Sequence, residues 1–202
     1  LIRYVAKKHK PMIISTGVAD LDDIQLALDT CYKEGNYDIS LLKCTSEYPA
    51  TYEQANLLTI PDMIHRFGIP VGVSDHTMGS LVPIVAVSLG ATIVEKHFIL
   101  SRTNGGPDSA FSMEPNEFRE MVDSIRNVER ALGNVKYDIT DYQRGKRRSL
   151  YARTDIHCGD VFTDQNVGSY RPGVGLSPQY WDQIMGKTCK REIVKGDVLR
   201  QE

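Results

Sequence analysis

The sequence has no long hydrophobic run, no strong excess of either charge and no closely spaced pair of cysteines. No apolar segment reaches the roughly 18 residues of a membrane span, and no signal peptide of the usual layout opens the chain. We therefore expect a cytoplasmic protein without membrane contacts. The formal net charge of -2 gives no reason to expect a nucleic-acid partner. The four cysteines lack a CxxC spacing and are expected to be reduced thiols: Cys31, Cys44, Cys158 and Cys189.

An initiating methionine is also lacking. The chain begins LIRYVA, a pattern that is typical of a helix already under way, so we expect an upstream portion. The 202 residues are 41% hydrophobic and 25% charged, which is typical of an ordinary globular protein. This length suits one medium domain, alone or with a small module.

The stretch Pro70–Asp108 is the most informative part of the chain. Two short apolar runs, Pro70–Val73 and Thr92–Val94, each end at a polar cluster that contains a histidine. Between them, Leu81–Leu89 is apolar and long enough for a helix. A strand, a helix and a second strand at this spacing predict a βαβ unit with two parallel, neighbouring strands.

The polar clusters at the ends of these two strands predict a site. Because side chains alternate along a strand, Ser74 shares a face with His76, and Glu95 shares a face with His97. If both strands end at the same rim, two imidazoles, a carboxylate and a hydroxyl converge there. Such a set is suited to a divalent metal and an oxygen-rich substrate.

Similar strand–helix units fill residues 1–135. A helix is expected to begin at the N-cap Asp20, and another to span Tyr52–Phe67 with a kink or break at Pro61. Four units make half of a (β/α)8 barrel, which needs about 250 residues. An open flavodoxin-like sheet is the alternative. Polar residues at the end of every strand favour the barrel.

The pattern changes after Gly133. Residues 136–148 are polar and charged, and they predict a solvated linker rather than a nucleic-acid-binding patch. Residues 149–202 contain short strand-like pieces separated by turns, with room for one short helix in Leu176–Met185. They predict a small β-rich domain.

Each candidate residue also has an ordinary structural interpretation. A single histidine is more often a structural residue than a ligand, and the alternative role of Ser74 with Asp75 is to cap the following helix. For Glu95 and Lys96 the alternative is an exposed ion pair of little energetic value. For residues 105–108 the alternative is a simple turn, as it is for the Arg171-Pro-Gly segment.

Four motifs, in this order along the chain, resemble the sialic acid synthase (NeuB-like) family: SDHT, LGATIVEKHF, GGPDSAFSMEPNEF and RPGVGL. The resemblance covers essentially the whole chain. It implies the C-terminal half of a TIM barrel followed by a SAF domain, which is similar to type III antifreeze proteins. Residues 48–56 and 148–151 look most like the pseudaminic acid synthase branch. Ser46 stands where N-acetylneuraminate synthases usually carry asparagine, which disfavours that branch.

The resemblance implies a reaction and a role for each matching residue. The family condenses phosphoenolpyruvate with an amino-sugar aldehyde, using a divalent metal that is most often Mn²⁺, with Mg²⁺ or Co²⁺ as possibilities. It also implies a domain-swapped homodimer, and lysines and a glutamate of the family lie upstream of this sequence. The matching positions are His76 and His97 for the metal, with His76 and Glu95 as catalytic residues, Ser46 and Ser74 for phosphoenolpyruvate, Tyr48, Glu95 and Asp108 around the sugar, and Arg171 inserted into the partner subunit's site.

Three alternatives stay open at this point. The first is an N-acetylneuraminate or legionaminate synthase. The second is a non-catalytic fragment that serves folding or dimerisation. The third is a sugar-binding module, although the charged residues of the C-terminal domain argue against an ice-binding face.

Overall fold

The computed structural model describes residues 1–200. The chain divides into two compact units, Leu1–Asn134 and the part that begins at Val135. Each unit has its own hydrophobic core, so we describe each by itself.

Unit 1 is an α/β structure built on a four-stranded parallel sheet with the strand order β1-β2-β3-β4. Its strands are β1 (Met12–Ser15), β2 (Ile39–Cys44), β3 (Val71–Asp75) and β4 (Val94–Lys96). Its helices are α1 (Ile2–Ala6), α2 (Leu21–Lys33), α3 (Thr59–Phe67), α4 (Leu81–Ser88) and α5 (Pro115–Leu132), with 3-10 turns at Glu53–Ala55 and Arg102–Asn104. The parallel α/β prediction is confirmed. The sequential order differs from a flavodoxin-like sheet, in which the strand order reverses at a switch point.

Helix α2 forms as its sequence predicts. The Asp20 side chain accepts a hydrogen bond from the backbone N–H of Asp23, and the Asp23 side chain accepts one from the backbone of Asp20. This reciprocal cap satisfies two backbone donors that the first turn would otherwise leave free. Ile24, Leu28 and Cys31 recur at helical spacing and are buried against the sheet.

One helix prediction needs correction. The segment expected to be one helix from Tyr52 is interrupted at Asn56, which has a φ of 43°, and α3 begins only at Thr59. Pro61 does not cause the break, since it lies in the first turn of α3, where its missing N–H costs no helical bond.

The core of unit 1 lies between the sheet and its helices. Its fully buried members include Leu28, Leu41, Ile60 and Val71. A smaller cluster joins α4 to α5 through Val87, Met121 and Ile125, together with Met113. These contacts leave the carboxyl ends of the strands, where the polar clusters lie, outside the apolar core.

The second unit is a small β-rich domain, as predicted. Strands β5 (Ser149–Ala152) and β6 (Val167–Tyr170) are antiparallel, and isolated bridges join residues 151 to 198, 156 to 193 and 161 to 188. Two short helices accompany them, α6 (Asp141–Gly145) and α7 (Trp181–Ile184), with a 3-10 turn at Pro178–Tyr180. Helix α6 lies inside the segment 136–148 that the sequence predicts to be a linker, and it is capped by Thr140 and Gln143.

The four cysteines are free thiols. Within residues 1–200, none of the helices combines the length and the apolar character needed to cross a membrane.

Candidate active site

Ser74 and Glu95 meet at the carboxyl ends of β3 and β4. They are partners in the parallel ladder, and the Ser74 hydroxyl donates a hydrogen bond of 2.6 Å to the Glu95 carboxylate. Ser74 is buried, whereas Glu95 is exposed at the rim. The carboxylate therefore fixes the direction of a hydroxyl that the protein holds out of bulk water.

His76 and His97 lie one residue beyond the last paired residues of β3 and β4. Their ring centroids are 5.2 Å apart in an edge-on arrangement. The Nδ1 atom of His76 lies 2.7 Å from the carbonyl oxygen of Thr45. Because a carbonyl only accepts hydrogen bonds, Nδ1 carries the proton in the neutral ring and Nε2 keeps its lone pair. This is the arrangement by which proteins orient a histidine for metal binding.

Asp108 reaches the second histidine from the loop that follows β4. Its carboxylate lies 3.7 Å from Nδ1 of His97, which is an electrostatic contact rather than a hydrogen bond. The loop is closed on itself, because the N–H and hydroxyl of Ser112 both donate to the carbonyl of Asp108 at 3.2 and 2.7 Å. Arg102 fastens the same loop through the carbonyl of Ser112 and an ion pair with Glu117.

Aromatic rings surround the two imidazoles. The Tyr48 ring lies 4.1 Å from the His76 ring, and Phe111 lies 5.0 Å from His97, both between centroids. The pKa of Tyr48 is raised above its ordinary value, chiefly by desolvation and further by Cys44, Asp108 and other nearby acidic groups. Tyr48 therefore stays a neutral phenol, a hydrogen-bond donor, at physiological pH.

Ser46 lies beside the end of β1. A Cβ at Gly17 would collide with the Ser46 hydroxyl, so glycine is required at position 17 for this approach. The sulfur of Cys44 lies 4.0 Å from the same hydroxyl. Ser46 is two residues beyond Cys44, which pairs with Ser74 in the ladder, and so it belongs to the same rim.

A buried ion pair lies under this rim, on the opposite face of the strands. The ammonium of Lys96 is 2.6 Å from the carboxylate of Asp75, and the two side chains are 1% and 2% exposed. Asp75 thus pairs with Lys96 and caps the turn at Thr77, rather than capping α4. Glu95 bonds to Ser74, so the alternative of an exposed Glu95–Lys96 ion pair is not the arrangement found.

Two further groups near the rim escaped the sequence argument. Lys43 is buried, and burial lowers the pKa of its ammonium, although Cys44 and Asp75 oppose that shift. Phe111 carries no polar signal in the sequence, and only its place in the folded loop brings it to His97. An aromatic residue in an otherwise small and polar loop was the one available indication.

Arg171 belongs to the other unit, where it follows β6. It borders a recess of about 400 Å³ that is also lined by Tyr151, Arg153, Tyr170 and Lys195. Gly168 leaves room there for the Tyr170 ring and the Arg153 stem, which a Cβ would meet at 2.6 and 2.9 Å. The recess is therefore cationic and edged by tyrosines.

The donor set fits a metal through two ligands. Among residues 1–200, no cluster of three histidine, cysteine, aspartate or glutamate side chains is arranged to hold an ion. The imidazoles of His76 and His97 are adjacent. The hydrogen bond from Nδ1 of His76 to the carbonyl of Thr45 fixes the ring, so that its other nitrogen, Nε2, is free to bind a metal. Such a pair suits a cation that takes its other ligands from water or substrate oxygens.

A parallel α/β sheet with polar residues at its carboxyl ends places those residues where proteins of this class carry their functional sites. The family models are more specific. The NeuB family model matches residues 1–137 and the SAF domain model matches residues 147–202. The chain belongs to the NeuB family.

Named relatives agree with this assignment. The chain is 41% identical to the pseudaminic acid synthase of Campylobacter jejuni over 203 residues, covering 99% of this chain and 59% of that protein. It is 35% identical to the N,N'-diacetyllegionaminic acid synthase of the same species over 206 residues, covering 99% of this chain and 62% of that protein. Among solved structures, the chain matches the crystal structure of the Bacillus subtilis spore coat polysaccharide biosynthesis protein SpsE, with a TM-score of 0.64 and 32% identity. The match covers 96% of this chain and 61% of that chain. The chain thus spans about 59% of the length of its first curated relative.

Proposed function

We propose that the chain carries the metal-binding half of the active site of a pseudaminic acid synthase. The reaction joins phosphoenolpyruvate, water and a 2,4-diacetamido-2,4,6-trideoxy hexose (6-deoxy-AltdiNAc) into the nonulosonic acid and phosphate. The observation that carries the proposal is the meeting of Ser74, Glu95, His76 and His97 at one rim in a NeuB-family chain.

The choice of product is supported by the relatives and by one residue. Identity is 41% to a pseudaminic acid synthase and 35% to a legionaminic acid synthase from the same organism. Ser46, with Gly17 packed against it, replaces the asparagine expected of an N-acetylneuraminate synthase. Legionaminate or N-acetylneuraminate synthesis remains the alternative activity, and substrate choice distinguishes it.

His76 and His97 would hold the divalent metal, for which we propose Mn²⁺, with Mg²⁺ or Co²⁺ as substitutes. When bound, the metal supplies a Lewis acid for the aldehyde oxygen of the open-chain sugar. Carbon 3 of phosphoenolpyruvate attacks the aldehyde carbon and leaves positive charge at carbon 2. Glu95 then takes a proton from the water that adds there and gives it to the alkoxide formed from the aldehyde. The tetrahedral carbon becomes a ketone as its C–O bond to phosphate breaks, and its hydroxyl proton leaves with the phosphate.

The remaining side chains of the rim orient the substrates. Ser74, whose hydroxyl bonds to Glu95 at 2.6 Å in this structure, exchanges that bond for one that it donates to the anionic phosphoenolpyruvate, and the Ser46 hydroxyl donates to it as well. Tyr48 and Asp108, on either side of the imidazoles, hydrogen-bond the hydroxyls of the sugar. Holding both reactants in one geometry reduces the entropic part of the barrier.

The whole protein is proposed to be a barrel enzyme that works as a dimer. The four consecutive parallel strands are proposed to be the C-terminal half of a (β/α)8 barrel, and the groove of about 1010 Å³ beside α1, β1 and α2 is where the other half would pack. Arg171, in its cationic recess, is proposed to enter the partner subunit's site and bind the N-acyl sugar. The chain alone is then incomplete, which keeps a non-catalytic role for the isolated fragment as the rival.

Metal binding is tested directly on this chain. His76→Ala is expected to lose most of the Mn²⁺ affinity, by at least about tenfold, with little change in melting temperature. His65→Ala, on the exposed side of α3, is the matched control and should bind Mn²⁺ normally. Calorimetric titration measures both. Undiminished binding by the His76 variant would overturn the metal assignment.

Substrate choice is tested on the full-length protein. It is incubated with phosphoenolpyruvate, Mn²⁺ and either 6-deoxy-AltdiNAc, the corresponding gluco-configured diacetamido sugar or N-acetylmannosamine, and phosphate release is followed. Preference for 6-deoxy-AltdiNAc is expected. Preference for either other sugar moves the assignment to a legionaminate or neuraminate synthase, and no release with any sugar contradicts the synthase proposal.

A further inference from the structure

The buried pair of Asp75 and Lys96 lies next to the site but has no role in the proposed chemistry. The Lys96 ammonium and the Asp75 carboxylate are 2.6 Å apart, and both side chains are almost fully buried. Lys96 also donates to the carbonyl of Thr77, and the second carboxylate oxygen of Asp75 accepts from the N–H of Thr77 at 2.9 Å. The three residues thus form a closed network.

Stability alone gives a poor account of this pair. Removing two charges from water costs several kcal/mol per ion, and replacing a buried pair by apolar residues of similar volume is often neutral or stabilising. What such a pair does supply is a fixed geometry, because the two charges tolerate little displacement in a dry environment.

The position of the pair in the sequence couples it to the site. Asp75 stands between Ser74 and His76, and Lys96 stands between Glu95 and His97. Side chains alternate across a strand, so the ion pair fastens the two strands on one face while the four site residues project from the other. A shift of either charged residue would move two site residues with it.

The sheet itself stops short of the histidines. Strand β4 has three residues, and Asp75 with Lys96 is the last matched pair of the β3–β4 ladder. Beyond the ladder, the backbone N–H of Ala50 donates a hydrogen bond to the carbonyl of His76. The backbone N–H of Met113 donates one to the carbonyl of His97. These bonds tie each histidine to a different loop and do not tie the two histidines to each other.

We infer that Asp75 and Lys96 are positioning residues, which set the separation of His76 and His97 and the register of the Ser74–Glu95 bond. The inference rests on the proposed function, because it takes the two imidazoles to be a metal site. Neither residue touches the reactants. Their effect is carried by the strand ends.

The test replaces both charged side chains at once, because replacing only one would leave the other as an unpaired charge in the protein interior. In the full 202-residue chain, Asp75→Asn combined with Lys96→Met should stay folded, because no unpaired charge is left and the Asn oxygen still accepts from the Thr77 N–H. Mn²⁺ affinity should fall at least about tenfold. The matched control is Asp62→Asn with Arg66→Met, which removes an exposed pair on α3 and should leave Mn²⁺ binding unchanged.

A second readout needs no metal. Proton–proton contacts between the His76 and His97 rings, 5.2 Å apart at their centroids, should be visible by NMR in the parent and in the control. They should weaken or vanish in the doubly substituted chain. Lys96→Arg, which keeps the charge, should retain the ring contacts.

The possible outcomes separate the two proposals. If the parent chain fails to bind Mn²⁺, the proposed metal site fails, and the ring contacts still test the positioning role. A folded double variant with parental affinity and ring contacts would overturn the inference. A double variant that does not fold would also overturn it, because the pair would then be a requirement of the fold.

Discussion

Two threonine hydroxyls near the strand ends have opposite surroundings. Thr77 is 1% exposed, and its hydroxyl has no hydrogen-bond partner among residues 1–200. The Thr45 hydroxyl accepts from the ammonium of Lys43 at 2.7 Å and donates to the carbonyl of Gln54 at 3.1 Å. A buried polar group without a hydrogen-bond partner lowers the free energy of unfolding, whereas a hydrogen bond that is made raises it by about 1 kcal/mol.

This contrast predicts opposite effects of the same substitution. Thr77→Val keeps the shape and removes the unpaired hydroxyl, so the free energy of unfolding should rise by about 1 kcal/mol. Thr45→Val should lower it by about 1–3 kcal/mol, because it leaves the buried Lys43 ammonium short of an acceptor. Urea denaturation of the two variants measures both changes. A destabilised Thr77 variant would show that the hydroxyl does have a partner in solution.

Sequence reasoning reached the residues whose placement depends on strand alternation alone. Ser74, His76, Glu95 and His97 share one rim because two parallel strands end side by side, and a period of two residues is visible in the sequence. Gly17 and Phe111 reach the site through the path of a loop, which no local period encodes. The partner of Lys96 was missed for a related reason, since Asp75 faces it only when the register of the sheet is known.

Among the elements, helices with strong caps were predicted best. Helix α2 follows its N-cap Asp20 as expected, and α5 spans Pro115–Leu132 with Glu114 and Glu117 capping each other's backbone. The break after the 3-10 turn at Glu53–Ala55 was misplaced, because proline in a first turn and proline in a helix interior look alike in sequence. Helix α6 was missed, because a single turn of five residues has no apolar face to reveal it.

A surface pair in the second unit predicts a pH dependence. His157 and Glu192 lie next to the bridged residues Ile156 and Ile193, and the imidazole Nδ1 is 2.7 Å from the carboxylate. Glu192 raises the pKa of His157 above its ordinary 6.5, first by this hydrogen bond and then by its charge. The N–H of Cys158, and secondly His157, lower the pKa of Glu192 below its ordinary 4.5.

The stabilisation from this pair should be largest between these two ordinary values. It is lost as the pH rises through the raised pKa of His157, and lost again as the pH falls through the lowered pKa of Glu192. The difference in melting temperature between the parent and Glu192→Gln, measured from pH 4 to 9, should therefore peak near pH 5 to 6.5. The peak should be small and should shrink in high salt, because both groups are exposed. A difference that grows steadily toward high pH would contradict the pairing.

At the scale of the whole molecule, unit 1 exposes an edge of its sheet. Strand β1 pairs only with β2 within residues 1–200, and Ile13 on that strand is 59% exposed. Nearby Val18 and Leu26 are 92% and 64% exposed, and they line the large groove beside β1. An exposed apolar edge strand offers unpaired backbone groups to any other strand. In the proposed barrel, that partner is another strand of the same protein.

The 202-residue chain on its own should therefore associate through β1. We expect its apparent mass in size-exclusion chromatography with light scattering to rise with concentration. Ile13→Lys should shift the population toward monomer, because a charge on an edge strand opposes pairing. Val135→Lys, at a position 90% exposed in the second unit, controls for added charge and should not change the association.

In the full-length protein the same Ile13→Lys substitution should instead lower stability, because a partner strand would bury the lysine. A parent chain that stays monomeric at several concentrations would contradict the open edge, and with it the proposal that further barrel strands pair with β1.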